Sequence, residues 1–338
     1  MGQLHSHMLA TPECLGGKRF PVIGSNEMNT APAGNGYQAL RNTAAWIDLS
    51  GRGKIRITGE DRARLLHAMT TQHVEALKPG EGGYTFFLNA QGRILGDANL
   101  FCFEDHFLLD TEPEIKQKLY DHLDRYIIAD DVTLEDVTGS LVTIAVEGPQ
   151  AAEVLRRLHA PVPETPYSTL PWGDKVVART SSTGSEGYFI FLPGLVKDGL
   201  VASLENLPQV TREDARIVRL EHGHPRYGEE ISERYLVQET GQLHAVHFSK
   251  GCYLGQEIVE RVRSRAQIHR VLRRLELETS DPPEPGTKLK SGDADAAEIA
   301  SAAYSPALGK VVAMAYVRMP FTEVGTEIVS GDLRARVI

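Results

Sequence analysis

The sequence carries no surplus of positive charge: 36 Lys+Arg stand against 45 Asp+Glu in 338 residues, a formal net charge of −9. Proteins that coat nucleic acids neutralise phosphates with excess Lys/Arg, so that class of function is excluded for the chain as a whole. Long apolar runs are also missing. The longest candidates, such as 311–317, fall far short of the roughly 18 residues that span a bilayer, and no membrane partner is expected. Cysteine is scarce, with three in the chain, Cys14, Cys102 and Cys252. They are too few and too far apart for a metal quartet or a disulfide framework. The opening MGQLHSHMLATPECLGG lacks the basic and apolar regions of an export signal, which leads to the expectation of a reducing, cytoplasmic setting. What is present is ordinary globular composition, 41% hydrophobic and 24% charged, in a chain long enough for more than one core.

Periodicity along the chain reads as α+β. Residues 1–36 are rich in Gly, Pro, Asn, Thr and Ser without a period and read as a loose extension. A first α+β module is expected over 37–140, with a strand at 54–58 and a helix at 60–69. A hairpin follows around 89–92, then a strand at 106–110 and a helix at 113–128. A second α+β module is expected over 141–265, with a strand at 141–146 and a helix at 149–159. Strands at 175–179 and 188–192 and helices near 195–205 and 212–222 complete it. Thr211 and Asp214 fit a capping box for the last of these helices. From 266 to 338 short strands alternate with turns such as Ser291-Gly-Asp293 and Ser330-Gly-Asp332, the pattern of a small β-barrel. The modules can be discontinuous in sequence.

The segment Lys250-Gly-Cys-Tyr-Leu-Gly-Gln-Glu257 is the richest in chemistry. A thiol between glycines, beside an ammonium and just before a helix, favours thiolate over thiol, which points to Cys252 as a nucleophile or metal ligand. The plain alternative is a small buried apolar side chain. Asp97 interrupts an apolar strand, which marks either an outward-facing position or a buried functional carboxylate. Arg216 and Arg219 lie three apart and share a helix face, where they can converge on one anionic group or form a solvated charged face.

K-G-C-Y-x-G-Q-E resembles the signature of the folate-binding YgfZ family, related to the T-protein of the glycine cleavage system. Further segments resemble that superfamily in the expected order. They are 41–50 (RNTAAWIDLS), 53–59 (GKIRITG), 92–97 (GRILGD), and Arg219-Leu-Glu-His-Gly223 with Tyr227-Gly228. The resemblance implies a ring of two α+β modules and a C-terminal barrel, with tetrahydrofolate in a central hole. It further implies Asp97, Glu186, Arg216 and Arg219 as folate-binding residues, and Cys252, flanked by Lys250 and Gln256, as the working thiol. The chain departs from the aminomethyltransferase relatives at three places. Gly96-Asp97 replaces two adjacent acids, Ser50-Gly-Arg-Gly-Lys54 lacks a histidine, and Thr183-Gly-Ser-Glu-Gly187 has serine at a glutamate position that Glu186 would have to serve from the next residue.

The expected function is therefore a tetrahydrofolate-binding accessory protein of iron–sulfur cluster assembly or repair, including support of tRNA-modifying enzymes. Its expected partners are iron–sulfur assembly or client proteins. The alternative is a folate-dependent aminomethyl- or methyltransferase using Asp97. A transiently held iron–sulfur cluster on Cys252 and a three-ligand metal site from His244, His247 and Cys252 are lesser expectations, and no resident metal is assigned. The run 261–274 holds six arginines and no acid, which offers a basic patch for a folate tail, an acidic partner or RNA. RNA is disfavoured, because that run contains no aromatic stacking platform.

Overall fold

The computed structural model describes residues 34–265 and 268–338. Helix α1 (Asn35–Asn42) opens it, so the packed chain begins inside the stretch expected to be loose; the remainder of that stretch and Cys14 lie outside the described residues. Strand β1 (Ala45–Asp48) precedes β2 (Gly53–Thr58), α2 (Arg62–Met69) and the hairpin of β3 (Gly82–Leu88) and β4 (Ile94–Cys102). Next come β5 (Phe107–Thr111), α3 (Lys116–Asp124) and β6 (Thr133–Asp136). The helix expected over 113–128 is thus shorter, with a 3-10 turn at Pro113–Ile115 before it. The five strands of this first sheet run in the order β3-β4-β5-β2-β6.

The second sheet takes β7 (Leu141–Glu147), then α4 (Ala151–Arg157), β8 (Thr169–Trp172), β9 (Lys175–Ala178) and β10 (Gly187–Pro193). Its order is β1-β7-β10-β9-β8. Strand β1 pairs with β7 across almost a hundred residues of chain, so the two α+β units are interleaved rather than consecutive. Helix α5 (Lys197–Ser203) packs with α4 on one face of this sheet, through Val154, Leu155, Leu200 and Leu204. The other face meets the first sheet through Phe101, Leu108, Phe189 and Phe191, with Tyr37 and Leu40 of α1 in the same core.

Helix α6 (Arg212–Glu221) is capped by the Thr211 hydroxyl, which accepts from the Asp214 N–H at 3.0 Å. The return half of the expected capping box is not made, because the Asp214 carboxylate accepts instead from the Gly34 N–H. After α6 the chain returns to the first sheet, burying Tyr227, Ile231, Val237 and Tyr253 against it, and enters α7 (Gln256–Arg265).

The last strands are β11 (Arg270–Leu277), β12 (Lys288–Ser291), β13 (Ala294–Ser305), β14 (Lys310–Arg318), β15 (Glu327–Ser330) and β16 (Leu333–Val337). Their order is β12-β13-β14-β11-β16-β15, and the edge strands approach each other, the Lys290 N–H donating to Ser330 Oγ at 3.1 Å. This nearly closed six-stranded barrel encloses Leu275, Ile299, Val311, Ala313 and Val337. The expected α+β units and terminal barrel are therefore present.

Candidate functional site

Between the two sheets, walled on a third side by α6 and the segment that follows it, lies a cavity of about 450 Å³. Each wall has a local origin. Strand alternation turns Asp97 of β4 inward, and β3 brings Tyr84 diagonally beside it, opposite Asn99. The loop between β1 and β2 supplies Arg52. Glu112 follows β5, and Phe189 projects from β10. Tyr167 sits in the proline-rich connection at φ 61°, a backbone conformation that a bulky L-residue adopts only where its surroundings enforce it. Its N–H donates to the Arg179 carbonyl at 2.8 Å, and its ring becomes an aromatic wall.

Asp97 is the chemical centre of the cavity. It is 6% exposed and accepts a hydrogen bond from the Tyr84 hydroxyl at 2.6 Å on Oδ2. Oδ1 meets no protein donor among the described residues. Burial pushes its carboxyl up to about 6; the nearby Glu112 charge adds to this, while the Tyr84 hydrogen bond and the charges of Arg52 and Arg226 oppose it. Burial and the same carboxylate hold the Tyr84 phenol well above its ordinary value, so it remains a donor. The other acids of the cavity all have cationic partners. Asp48 meets Lys197, Glu112 meets Arg52 and Arg226, Glu114 meets Arg226, and Glu213 and Glu229 meet Arg216. The glycine before Asp97 also has a physical reason: a Cβ at Gly96 would stand 2.9 Å from Ile115 Cδ1 and from Leu119 Cδ2, so a second acid there would enter the apolar core.

Arg216 and Arg219 share a helix face as expected and converge on one anionic group, but that group is the protein's own. Arg216 Nε donates to Glu229 at 3.0 Å and Arg219 Nη2 to the same oxygen at 2.9 Å. Arg219 further grips the fully buried Glu230 with two bonds, at 2.7 and 3.0 Å. These arginines line the cavity with their charge already matched by Glu229 and Glu230. Burial, with the Arg219 charge beside it, presses His224 down to about 4, so it is neutral at physiological pH.

Glu186 is not part of the cavity. It is exposed and accepts from the Tyr188 hydroxyl at 3.0 Å. Phe189 faces the cavity, so by the two-residue period of a strand Tyr188 faces the other way, and Glu186 goes with it.

The cysteine motif forms a separate structure beside the cavity. Lys250 is 6% exposed, and its ammonium donates to the carbonyls of His67, Thr70 and Gln72 at 2.5, 2.7 and 2.6 Å. Burial draws the Lys250 pKa down to about 7, whereas three acceptors favour the ammonium, since only that form has three N–H bonds. Tyr253 is buried, with the Lys250 ammonium 4.9 Å from its ring centroid. Gly255 takes φ 84°, and a Cβ there would stand 2.7 Å from the Asn89 carbonyl oxygen, so the motif can lie against the hairpin tip only as glycine. Cys252 is exposed and Gln256 half-buried at the start of α7. Lys250 is thus a clamp on the backbone.

Gln72 ties this loop to the cavity. Its carbonyl takes Lys250, and its side-chain amide donates to the carbonyls of Tyr84 at 3.1 Å and His244 at 3.0 Å. His244 stacks on Tyr84 at the cavity wall, whereas His247 packs against His73, their ring centroids 4.9 Å apart. His244, His247 and Cys252 therefore do not form a metal site, and among the described residues no group of three His, Cys, Asp or Glu is arranged to hold a metal ion. The arginine run also divides. Arg261, Arg263 and Arg265 are exposed on α7, whereas Arg270 pairs with Glu239 and Arg274 donates to the Glu221 carbonyl. The single basic patch expected from sequence is half internal bonding.

The chain matches the family model of the GCVT N-terminal domain over residues 18–250 and that of the glycine cleavage T-protein C-terminal barrel domain over residues 270–336. The aminomethyltransferase of Streptomyces coelicolor is 30% identical over 316 residues, 88% of this chain and 84% of that protein. That of Aquifex aeolicus is 29% identical over 294 residues, 86% of this chain and 80% of that protein. In fold, the chain is similar to the glycine cleavage system aminomethyltransferase T from Bartonella henselae, with a TM-score of 0.82 at 23% identity over 91% of this chain and 88% of that one.

Proposed function

The chain belongs to the glycine cleavage T-protein family, and from that premise we propose that its cavity binds tetrahydrofolate and that Asp97 serves the one-carbon chemistry of that cofactor. The observation that carries this reading is Asp97 itself, the one acid of the cavity wall without a cationic partner among the described residues, with Oδ1 left to accept. A reduced pterin presents an amide and amino edge of N–H donors, for which a carboxylate is the matching acceptor. The rings of Tyr84, Tyr167 and Phe189 supply aromatic walls for a flat heterocycle. When bound, tetrahydrofolate supplies nitrogens that carry a one-carbon unit. Asp97, titrating near 6, would hold or pass a proton at its free oxygen, while Tyr84 fixes the other. Calorimetric titration with tetrahydrofolate is expected to show saturable one-to-one binding; its absence removes the cofactor from the account. Formation of 5,10-methylenetetrahydrofolate from an aminomethyl donor would identify the aminomethyltransferase activity that its relatives' names carry.

A second reading rests on the cysteine motif. Lys250, Tyr253 and Gly255 each have a structural task there, whereas Cys252 is exposed and has none. That supports the YgfZ-type role, an accessory of iron–sulfur cluster assembly or repair in which folate binding and a free thiol act together. Cys252→Ala is expected to fold normally and to fail in restoring iron–sulfur enzyme activity to a strain lacking its own family member. Full restoration would leave aminomethyl transfer as the sole reading.

A further inference from the structure

Five guanidinium groups line the cavity, and four of them are committed. Arg52 binds Asp110 and Glu112, Arg226 binds Glu112 and Glu114, and Arg216 and Arg219 share Glu229. Arg212 differs. It is exposed at the first position of α6, lines the cavity, and has no hydrogen bond or ion pair among the described residues. Burial alone would raise the Glu114 carboxyl, yet it lies below its ordinary value, held there by the Arg226 pair and a backbone N–H, with the Arg212 charge reaching far enough to add to them. Yet Glu114 already has its partner in Arg226, at 2.6 Å. Among the described residues the cavity therefore has one acid without a cationic partner, Asp97, and one guanidinium without an anionic one, Arg212.

We propose that Arg212 binds a carboxylate of the ligand's glutamyl end, so that the site recognises an amphoteric molecule with N–H donors at one end and negative charge at the other. This rests on the folate reading and adds which residue takes the charged tail. Arg216 and Arg219, expected as folate-binding residues, are less suited to that role, since removing Glu229 from them would leave a carboxylate unpaired. Arg212 can bind an anion without breaking any pair made among the described residues. Its exposure sets the scale of the effect: a solvent-facing ion pair is worth less than a buried one, and salt screens it.

Three probes separate the contributions: tetrahydrofolate, its dimethyl ester, which keeps the shape and removes the tail charges, and 6-methyltetrahydropterin, which keeps only the head. In the intact protein the ester is expected to bind roughly three- to tenfold more weakly than tetrahydrofolate at low salt. In Arg212→Gln tetrahydrofolate should weaken by the same factor, while the ester and the head should bind as they do to the intact protein. Arg212→Lys should recover part of the difference. If Arg212→Gln binds tetrahydrofolate as the intact protein does, or loses affinity equally for acid and ester, the assignment is overturned and the folate reading stands. If neither tetrahydrofolate nor the head binds the intact protein, the folate reading fails and this inference with it.

Discussion

Replacing Asp97 with asparagine is expected to weaken tetrahydrofolate binding by at least about tenfold and to lower any one-carbon transfer by roughly 10²–10⁴-fold. Asparagine has nearly the same volume, and its carbonyl can still accept from Tyr84, so the fold should be unaffected. What is lost is the negative acceptor facing the cavity and the group able to take a proton. The pH dependence separates this cause from a simple packing defect. Because burial raises the Asp97 carboxyl to about 6, the acceptor is ionised above that pH and neutralised below it. Affinity in the intact protein should therefore be flat above pH ~7 and fall by up to tenfold per unit below pH ~6. In Asp97→Asn that acid limb should disappear. A variant that keeps both the affinity and the acid limb would show that another group titrates, and Asp97 would lose its assigned role.

Substituting methionine for Arg219 should produce the largest loss of stability, about 3–5 kcal/mol, read as a lower denaturation midpoint. Glu230 is fully buried, and besides its two bonds from Arg219 it accepts from the Arg226 N–H at 2.8 Å and from the Ser301 hydroxyl. Removing the guanidinium leaves that carboxylate in the interior beside Glu229, with no cation to balance it. Combining Arg219→Met with Glu230→Gln should recover much of the loss, because the uncompensated charge is then gone. A loss below about 1 kcal/mol in the single variant would mean that the pair is not structural, and would return Arg219 to the list of ligand-binding candidates.

Much of this could be read from sequence, and the exceptions share a cause. Asp97 stood out as an acid in an apolar strand, but its pairing across the hairpin with Phe86, two residues after Tyr84, needs a register shift beside Leu88 that the turn at Asn89–Gly92 does not encode. The barrel was legible because its strands and turns alternate locally. The helix face shared by Arg216 and Arg219 was also legible, but their partner was not, because Glu229 and Glu230 reach them only when the chain folds back after α6. Glu186 looked usable because it is adjacent to the position of interest; strand parity directs it away. Lys250 was expected beside the thiol. Its three carbonyl acceptors come from residues almost two hundred positions earlier, and no local pattern encodes them. Tyr167 left no signal at all, since its wall position depends on a left-handed backbone angle enforced by tertiary contacts. Local chemistry was readable, whereas the pairing of charges across the chain was not.

The most direct test is a structure of the chain soaked with tetrahydrofolate. The pterin is predicted to lie between the two sheets, with ring N–H groups within hydrogen-bonding distance of Asp97 Oδ1 and its glutamyl end toward Arg212. A pterin bound elsewhere, or one in the cavity whose N–H edge faces away from Asp97, would contradict the account.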